Sequence, residues 1–357
     1  MKLNTVLLPS QFISFDLTAI VSVKFLLGVF VVLVLVLVLA GAAYQAIGTV
    51  RDAYKYPPPG KLVDVGGYRL HIYCTGECPS EGSPTVVMDF GLGGWSSTWN
   101  LVQAEVAKFT RVCAYDRAGY AWSDPSPTPR TSQQIVKELH TLLTNAGIED
   151  PYVLVGHSFS GLSARLFASQ YPDEVVGIVL VDAINENMYS RPFPEFQKIM
   201  ARNLQMFRIL SLISQLGILR LFIQLVGNKA APDFVRKLPS EIQPMVLAKF
   251  LGKTFDAAAA ETESMERSAA QVSAIDLPND IPLMVLSHGI PDMFSGLSAK
   301  ELERAEQTWQ ELQAEIASLS SKSTLLVAEK SGHFVPMDQP NLAIDAIRQV
   351  VEAARQR

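Results

Sequence analysis

The chain has 357 residues, 48% of them apolar and 18% charged, with a formal net charge of −5. That balance offers no basic patch for nucleic acid, and five His and three Cys, with no Cys-x-x-Cys, are too few and too scattered for a zinc site. Without a membrane segment about 300 residues remain, normal for an α/β enzyme domain with an insertion.

Residues 1–24 lead into 19 uncharged residues, Phe25 to Ala43, bounded by Lys24. At ~1.5 Å per residue this stretch spans a hydrocarbon core of about 30 Å. Ala40-Gly41-Ala42 resembles a signal cleavage site, but the stretch exceeds the roughly 7–15 residues of a signal core. Residues 25–44 are therefore expected to be an uncleaved single-pass anchor in contact with lipid, with Tyr44 at the interface. Lys2 and Lys24 on one side, against Arg51, Lys55 and Lys61 on the other, leave its orientation open. Residues 45–60 read as a linker, ending in the stiff run Tyr56-Pro57-Pro58-Pro59-Gly60.

Lys61–Val65 and Tyr68–Cys74 read as a hairpin around Gly66-Gly67, with His71 structural. Cys74 and Cys78 are either a small disulfide or two thiols, and Cys113 reads as a core residue. A buried strand, Thr85–Phe90, feeds Gly91-Leu92-Gly93-Gly94. A short helix (Ala104–Phe109) and a strand (Arg111–Tyr115) lead to Asp116-Arg117, a pair expected to fix the loop by ion pairing. Thr131 caps the next helix, with Gln134 at the capping-box position and Gly147 at its end.

Tyr152–Val155 reads as a buried strand that runs into Gly156-His157-Ser158-Phe159-Ser160-Gly161 and then into helical sequence. Strand, sharp Gly-flanked turn with a central Ser, and helix is the context of a nucleophile elbow. The same residues would also suit a plain strand-to-helix turn with Ser158 as N-cap. Ser160 stands where the turn usually has a smaller residue. His157 is expected to point back into the sheet. Val175–Val181 is the next strand, ending at Asp182.

Residues 185–278 break this rhythm with helical sequence throughout, rich in Leu, Ile, Met and Phe between Phe196 and Val226, and read as a cap over the site. The core, residues 61–184, then resumes as residues 279–357. Ile281–Leu286 is a strand leading to His288, expected to be structural, and to Asp292. Ser298 with Glu301 starts a long helix. Ser323–Ala328 is the last strand, ahead of Ser331-Gly332-His333-Phe334, and a helix from Leu342 closes the chain. Strands alternating with helices imply a mostly parallel sheet, whose active site lies beyond the strand C-termini.

A Ser hydroxyl needs a base within hydrogen-bond reach, a carboxylate to orient that base and donors for the developing oxyanion. Ser158 is the candidate nucleophile and His333 the candidate base. Asp292 is the preferred acid, with Asp182 competing. The backbone N–H groups of Leu92 and Phe159 are the candidate oxyanion donors. No metal or other cofactor is expected.

Asp89-Phe-Gly-Leu-Gly-Gly94, Tyr115-Asp-Arg-Ala-Gly-Tyr-Ala-Trp-Ser-Asp124, Val155-Gly-His-Ser-Phe-Ser-Gly161 and Ser331-Gly-His-Phe334 together resemble the α/β-hydrolase superfamily over about residues 60–355. The resemblance implies an α/β fold, a mostly parallel sheet flanked by helices, with a helical cap. It is to the Ser-dependent members, which include esterases, lipases and cofactor-free haloperoxidases. The family order of nucleophile, acid and His is kept by Ser158, Asp292 and His333. A Ser nucleophile argues against haloalkane dehalogenase and typical epoxide hydrolase activity, whose enzymes use Asp there. The separation of Asp292 from His333 is longer than the family pattern.

The expectation is a membrane-anchored serine hydrolase acting on a lipophilic carboxylic ester. Thioester or amide hydrolysis, acyl transfer and perhydrolysis would use the same residues, and a non-catalytic membrane scaffold is the alternative of a different class.

Overall fold

The computed structural model describes residues 17–80 and 82–356; most of the N-terminal segment, residues 1–16, lies outside them. The strands are β1 (Lys61–Asp64), β2 (Arg69–Thr75), β3 (Thr85–Asp89), β4 (Val112–Asp116), β5 (Tyr152–His157), β6 (Val175–Val181), β7 (Leu283–His288) and β8 (Ser323–Ala328). They form one sheet in the order β1-β2-β4-β3-β5-β6-β7-β8. Only β1–β2 and β2–β4 pair antiparallel; β4 through β8 are parallel.

The inner strands are apolar along their whole length because both faces are covered. Val153, Val155, Val179 and Val181 pack in one core, toward α2 (Asn100–Val106) and the C-terminal α14 (Pro340–Arg355). Leu154, Ile178 and Leu180 alternate into the other, toward α3 (Ser132–Ala146), α4 (Ser160–Gln170) and α12 (Ala299–Ala317). Ser298 and Glu301 form a full capping box on α12. At α3 only half of the expected box is made: Thr131 accepts from Gln134 N–H, while the Gln134 side chain donates to Tyr68 and Glu138.

Two expectations change. Cys74 bonds to Cys113, not Cys78, which is free and exposed. The reason is register: Cys74 and Cys113 are direct partners across β2 and β4, a pairing that sequence spacing does not reveal. Second, residues 45–55 are not a linker. The first helix, α1 (Leu17–Lys55), continues through them, since no helix breaker occurs before Pro57.

Among the described residues, every regular element between β6 and β7 is helical: α5 (Asn187–Ser190), α6 (Pro194–Gln215), α7 (Ile218–Val226), α8 (Asp233–Arg236), α9 (Gln243–Phe250), α10 (Thr254–Glu263) and α11 (Met265–Val272), with one short 3-10 turn. A four-residue helix, α13 (Val335–Asp338), follows the loop that carries His333.

Candidate active site

β5 delivers Ser158 into a backbone with φ of 55°, in the left-handed region that a non-glycine residue occupies only under constraint. The helix that begins at Ser160 holds the turn from behind. Buried Ser160 places its hydroxyl 2.8 Å from the Asp89 carbonyl and 2.9 Å from the His157 carbonyl. Ser160 therefore ties the elbow to the end of β3 rather than crowding it. Gly91 crosses directly over Ser158, where a Cβ would lie 2.7 Å from Ser158 Cβ and 3.2 Å from its Oγ. No other residue could bring the Leu92 loop so close.

Ser158 Oγ lies 2.9 Å from His333 Nε2. His333 Nδ1 lies 2.6 Å from Asp182 Oδ2. The preference for Asp292 is thus corrected: its carboxylate accepts the backbone N–H of His333 at 2.8 Å and not the ring. It lies against Gly332, where any side chain would overlap it. Asp182 wins the imidazole because β6 ends beside β5, which puts its carboxylate under the ring. Its own φ of 46° turns the chain there.

Asp182 is fully buried and accepts four hydrogen bonds. They come from His333 Nδ1, His288 Nδ1 (2.7 Å), the His288 backbone N–H (3.0 Å) and Trp309 Nε1 (3.0 Å). Burial pushes its pKa up, but the hydrogen bonds and charges of His288 and His333 outweigh that and hold it well below the usual carboxylate range. Burial lowers the pKa of His288, yet hydrogen bonds to Asp182 and Glu306 raise it to about 10. With His333 Nδ1–H donating to Asp182, the lone pair on Nε2 faces Ser158 Oγ–H, the tautomer a general base requires. Asp182, His288 and His333 could be read as metal ligands. Their N···O contacts of 2.6–2.7 Å are hydrogen bonds, too short for a cation with ligand distances of about 2 Å on each side.

His157 does not point back into the sheet. Its Nε2–H donates to the His333 carbonyl at 2.8 Å, and its ring packs on Phe90. Burial, then the neighbouring His333, lower its pKa to about 3, so it is a neutral prop for the His333 loop.

Arg117 fixes the Gly91 loop, as expected, but through partners the sequence did not indicate. It reaches both Glu261 oxygens on α10 at 2.8 Å, the Asp89 carboxylate, and the carbonyls of Phe90 and Gly91. Tyr120 donates to Glu261 at 2.7 Å and accepts from Gly93 N–H at 3.3 Å. Asp116 instead braces the adjoining loop, accepting from Ser96 and Trp122 N–H. Glu261 and Trp309 were not singled out in the sequence, and His288, expected to be structural, supports Asp182. His288 alone had a visible signal, its position at the C-terminal end of a core strand.

Ser158 and His333 open into a cavity of about 480 Å³ lined mainly by apolar side chains, among them Leu92, Phe196, Met200, Phe207, Ile223 and Phe250. The arrangement comprises a hydroxyl with its base, a buried carboxylate behind the base and a backbone loop over the hydroxyl. It suits attack on an acyl carbon.

The chain is 26% identical over 316 residues to a protein of Hormonema carpetanum described as probable transporter efuK, covering 82% of this chain and 42% of that one. Among solved structures it is similar to potato epoxide hydrolase I (TM-score 0.63, 17% identity, 82% of this chain and 98% of that one). It is also similar to a thermophilic esterase from Thermogutta terrifontis (TM-score 0.55, 20% identity, 82% and 97%). At such identities these structures speak for the fold alone. The model of the alpha/beta hydrolase family matches residues 90–346, and with the eight-stranded, mostly parallel sheet described above, the chain belongs to the alpha/beta hydrolase family.

Proposed function

We propose that the protein is a membrane-anchored serine hydrolase that cleaves carboxylic esters through an acyl-enzyme on Ser158. The observation that carries this reading is the continuous hydrogen-bond path from Ser158 Oγ through His333 to Asp182.

In this mechanism Ser158 Oγ attacks the ester carbonyl while His333 Nε2 takes its proton. The backbone N–H groups of Leu92 and Phe159 stabilise the oxyanion, a contribution of ~2.7–4 kcal/mol per donor. As the tetrahedral intermediate collapses, His333 returns the proton to the departing alkoxide. Water, activated by the same imidazole, then releases the acid and restores Ser158. Asp182 holds the imidazole in its tautomer and stabilises the imidazolium, remaining ionised throughout. Asp292 positions the His333 backbone.

The apolar cavity favours a lipophilic acyl or alcohol portion. α1 is long and apolar enough to cross a membrane, which favours a single-pass anchor. The test is hydrolysis of p-nitrophenyl butyrate by the full chain and by Ser158→Ala. The variant is expected to lose at least about 10³-fold in kcat; undiminished turnover would contradict the proposal.

A further inference from the structure

The apolar stretch of α1 does not end clear of the hydrolase domain. Gly41, still within that stretch, meets the corner between α6 and α7. A Cβ on Gly41 would lie 2.3 Å from the Leu216 carbonyl oxygen, and one on Gly217 would lie 2.6 Å from the Gly41 carbonyl oxygen. Two backbones approach this closely only through glycine. The seam continues along α1. Tyr44 donates to Gln224, Gln45 donates to the Leu251 carbonyl, and Arg220 donates to Gln45 at 2.8 Å and to Asp52 at 2.6 Å. If α1 spans a bilayer, the α6–α7 corner is fixed at the edge of its hydrocarbon core.

α7 meets α6 at 84° and divides its side chains three ways. Leu219 and Ile223 line the catalytic cavity. Arg220 and Gln224 face α1. Ile218, Leu221, Phe222 and Leu225, spaced i, i+3, i+4, i+7, are between 50% and 76% exposed. On α6, Met206, Ile209 and Leu212 are also exposed, and Met206 lines the cavity as well. An exposed apolar stripe at the foot of a membrane helix, with the catalytic cavity on its other side, has a direct physical reading.

We infer that the α6–α7 corner and the outer face of α7 lie in the interfacial layer of the bilayer crossed by α1. The catalytic cavity takes its substrate, a long-chain ester dissolved in that bilayer, between α6 and α7. The inference rests on α1 as an anchor and on Ser158 as the nucleophile, and it adds where the substrate comes from. Phe222 and Leu225 touch lipid and take no part in the chemistry.

The experiment uses the full chain in phosphatidylcholine vesicles. Phe222→Trp in vesicles of brominated-acyl lipid is expected to show tryptophan quenching above that of the wild type, whose Trp95, Trp99, Trp122 and Trp309 are buried. Absence of added quenching, as a face covered by a second copy or another protein would give, overturns the placement. The double variant F222D/L225D is expected to lose about 10-fold or more on vesicle-borne p-nitrophenyl palmitate while keeping its rate on water-soluble p-nitrophenyl acetate within about 2-fold. Equal effects on the two esters overturn the route. A wild-type protein that cleaves neither ester would count against the hydrolase reading, and the quenching measurement would still decide the placement.

Discussion

Asp182 and His333 are joined by a 2.6 Å contact between carboxylate Oδ2 and imidazole Nδ1, while Asp292 reaches only the backbone of His333. Asp182→Asn should therefore cost far more than Asp292→Asn. An amide at Asp182 would present the wrong partner to Nδ1–H, and a kcat loss of about 10⁴ is expected. Asp292→Asn should lose no more than about 10-fold, because an amide oxygen can still accept the His333 N–H. Steady-state kinetics on one soluble ester checks both; the reverse order would move the orienting role to Asp292.

His288 shares the Asp182 oxygen with His333. Its pKa is raised to about 10 from an ordinary 6.5. Its protonated form thus stabilises the fold fully below pH 6.5, and that contribution is lost as pH rises through 10. His288→Gln should lower stability by a few kcal/mol at neutral pH and flatten the alkaline decline expected of the wild type. Thermal unfolding of both proteins across this range measures it. Parallel curves would mean that His288 carries no charge in the folded state.

Ser160 stands where the turn usually has a smaller residue, and from the sequence alone Ser160→Gly would be expected to keep or raise activity. Its buried hydroxyl between the Asp89 and His157 carbonyls argues the opposite. Ser160→Gly should destabilise the protein by about 1–3 kcal/mol and reduce turnover, because β3 and the elbow lose their link. Denaturant titration with kinetics tests this. A variant as stable as the wild type would return Ser160 to a neutral role.

Arg117 and Glu261 join the Gly91 loop to α10 inside the protein. Arg117 also pairs with buried Asp89, so removing Glu261 leaves the guanidinium one carboxylate, whereas removing Arg117 strands two buried carboxylates, at a cost of about 3–5 kcal/mol. Arg117→Met should therefore be markedly more destabilised than Glu261→Met, and adding Glu261→Met to Arg117→Met should recover part of the loss, because it removes one of the two stranded carboxylates. A double-mutant cycle on unfolding free energies reads the coupling; additive losses would contradict it.

The elbow, the Gly-rich loop and His333 were legible because each is a local pattern attached to a strand end. The choice between Asp182 and Asp292 was not local. It depends on which loop passes under the His333 ring and on Trp309 and His288 converging from other elements. Cys74–Cys113 was hidden for a similar reason: it joins β2 to β4, strands adjacent in space and separated by β3 in sequence. The apolar character of α6 and α7 was visible, but not that one face lines the cavity while another stays exposed beside α1.

The proposed ester cleavage passes through a covalent intermediate on Ser158. Rapid acid quench of the full chain with p-nitrophenyl butyrate, followed by mass spectrometry of the peptide carrying Ser158, tests it most directly. A butyryl adduct on Ser158 is expected to form in a burst and to be absent from Ser158→Ala. Ester turnover with no adduct on Ser158, or with an adduct on another residue, would contradict it.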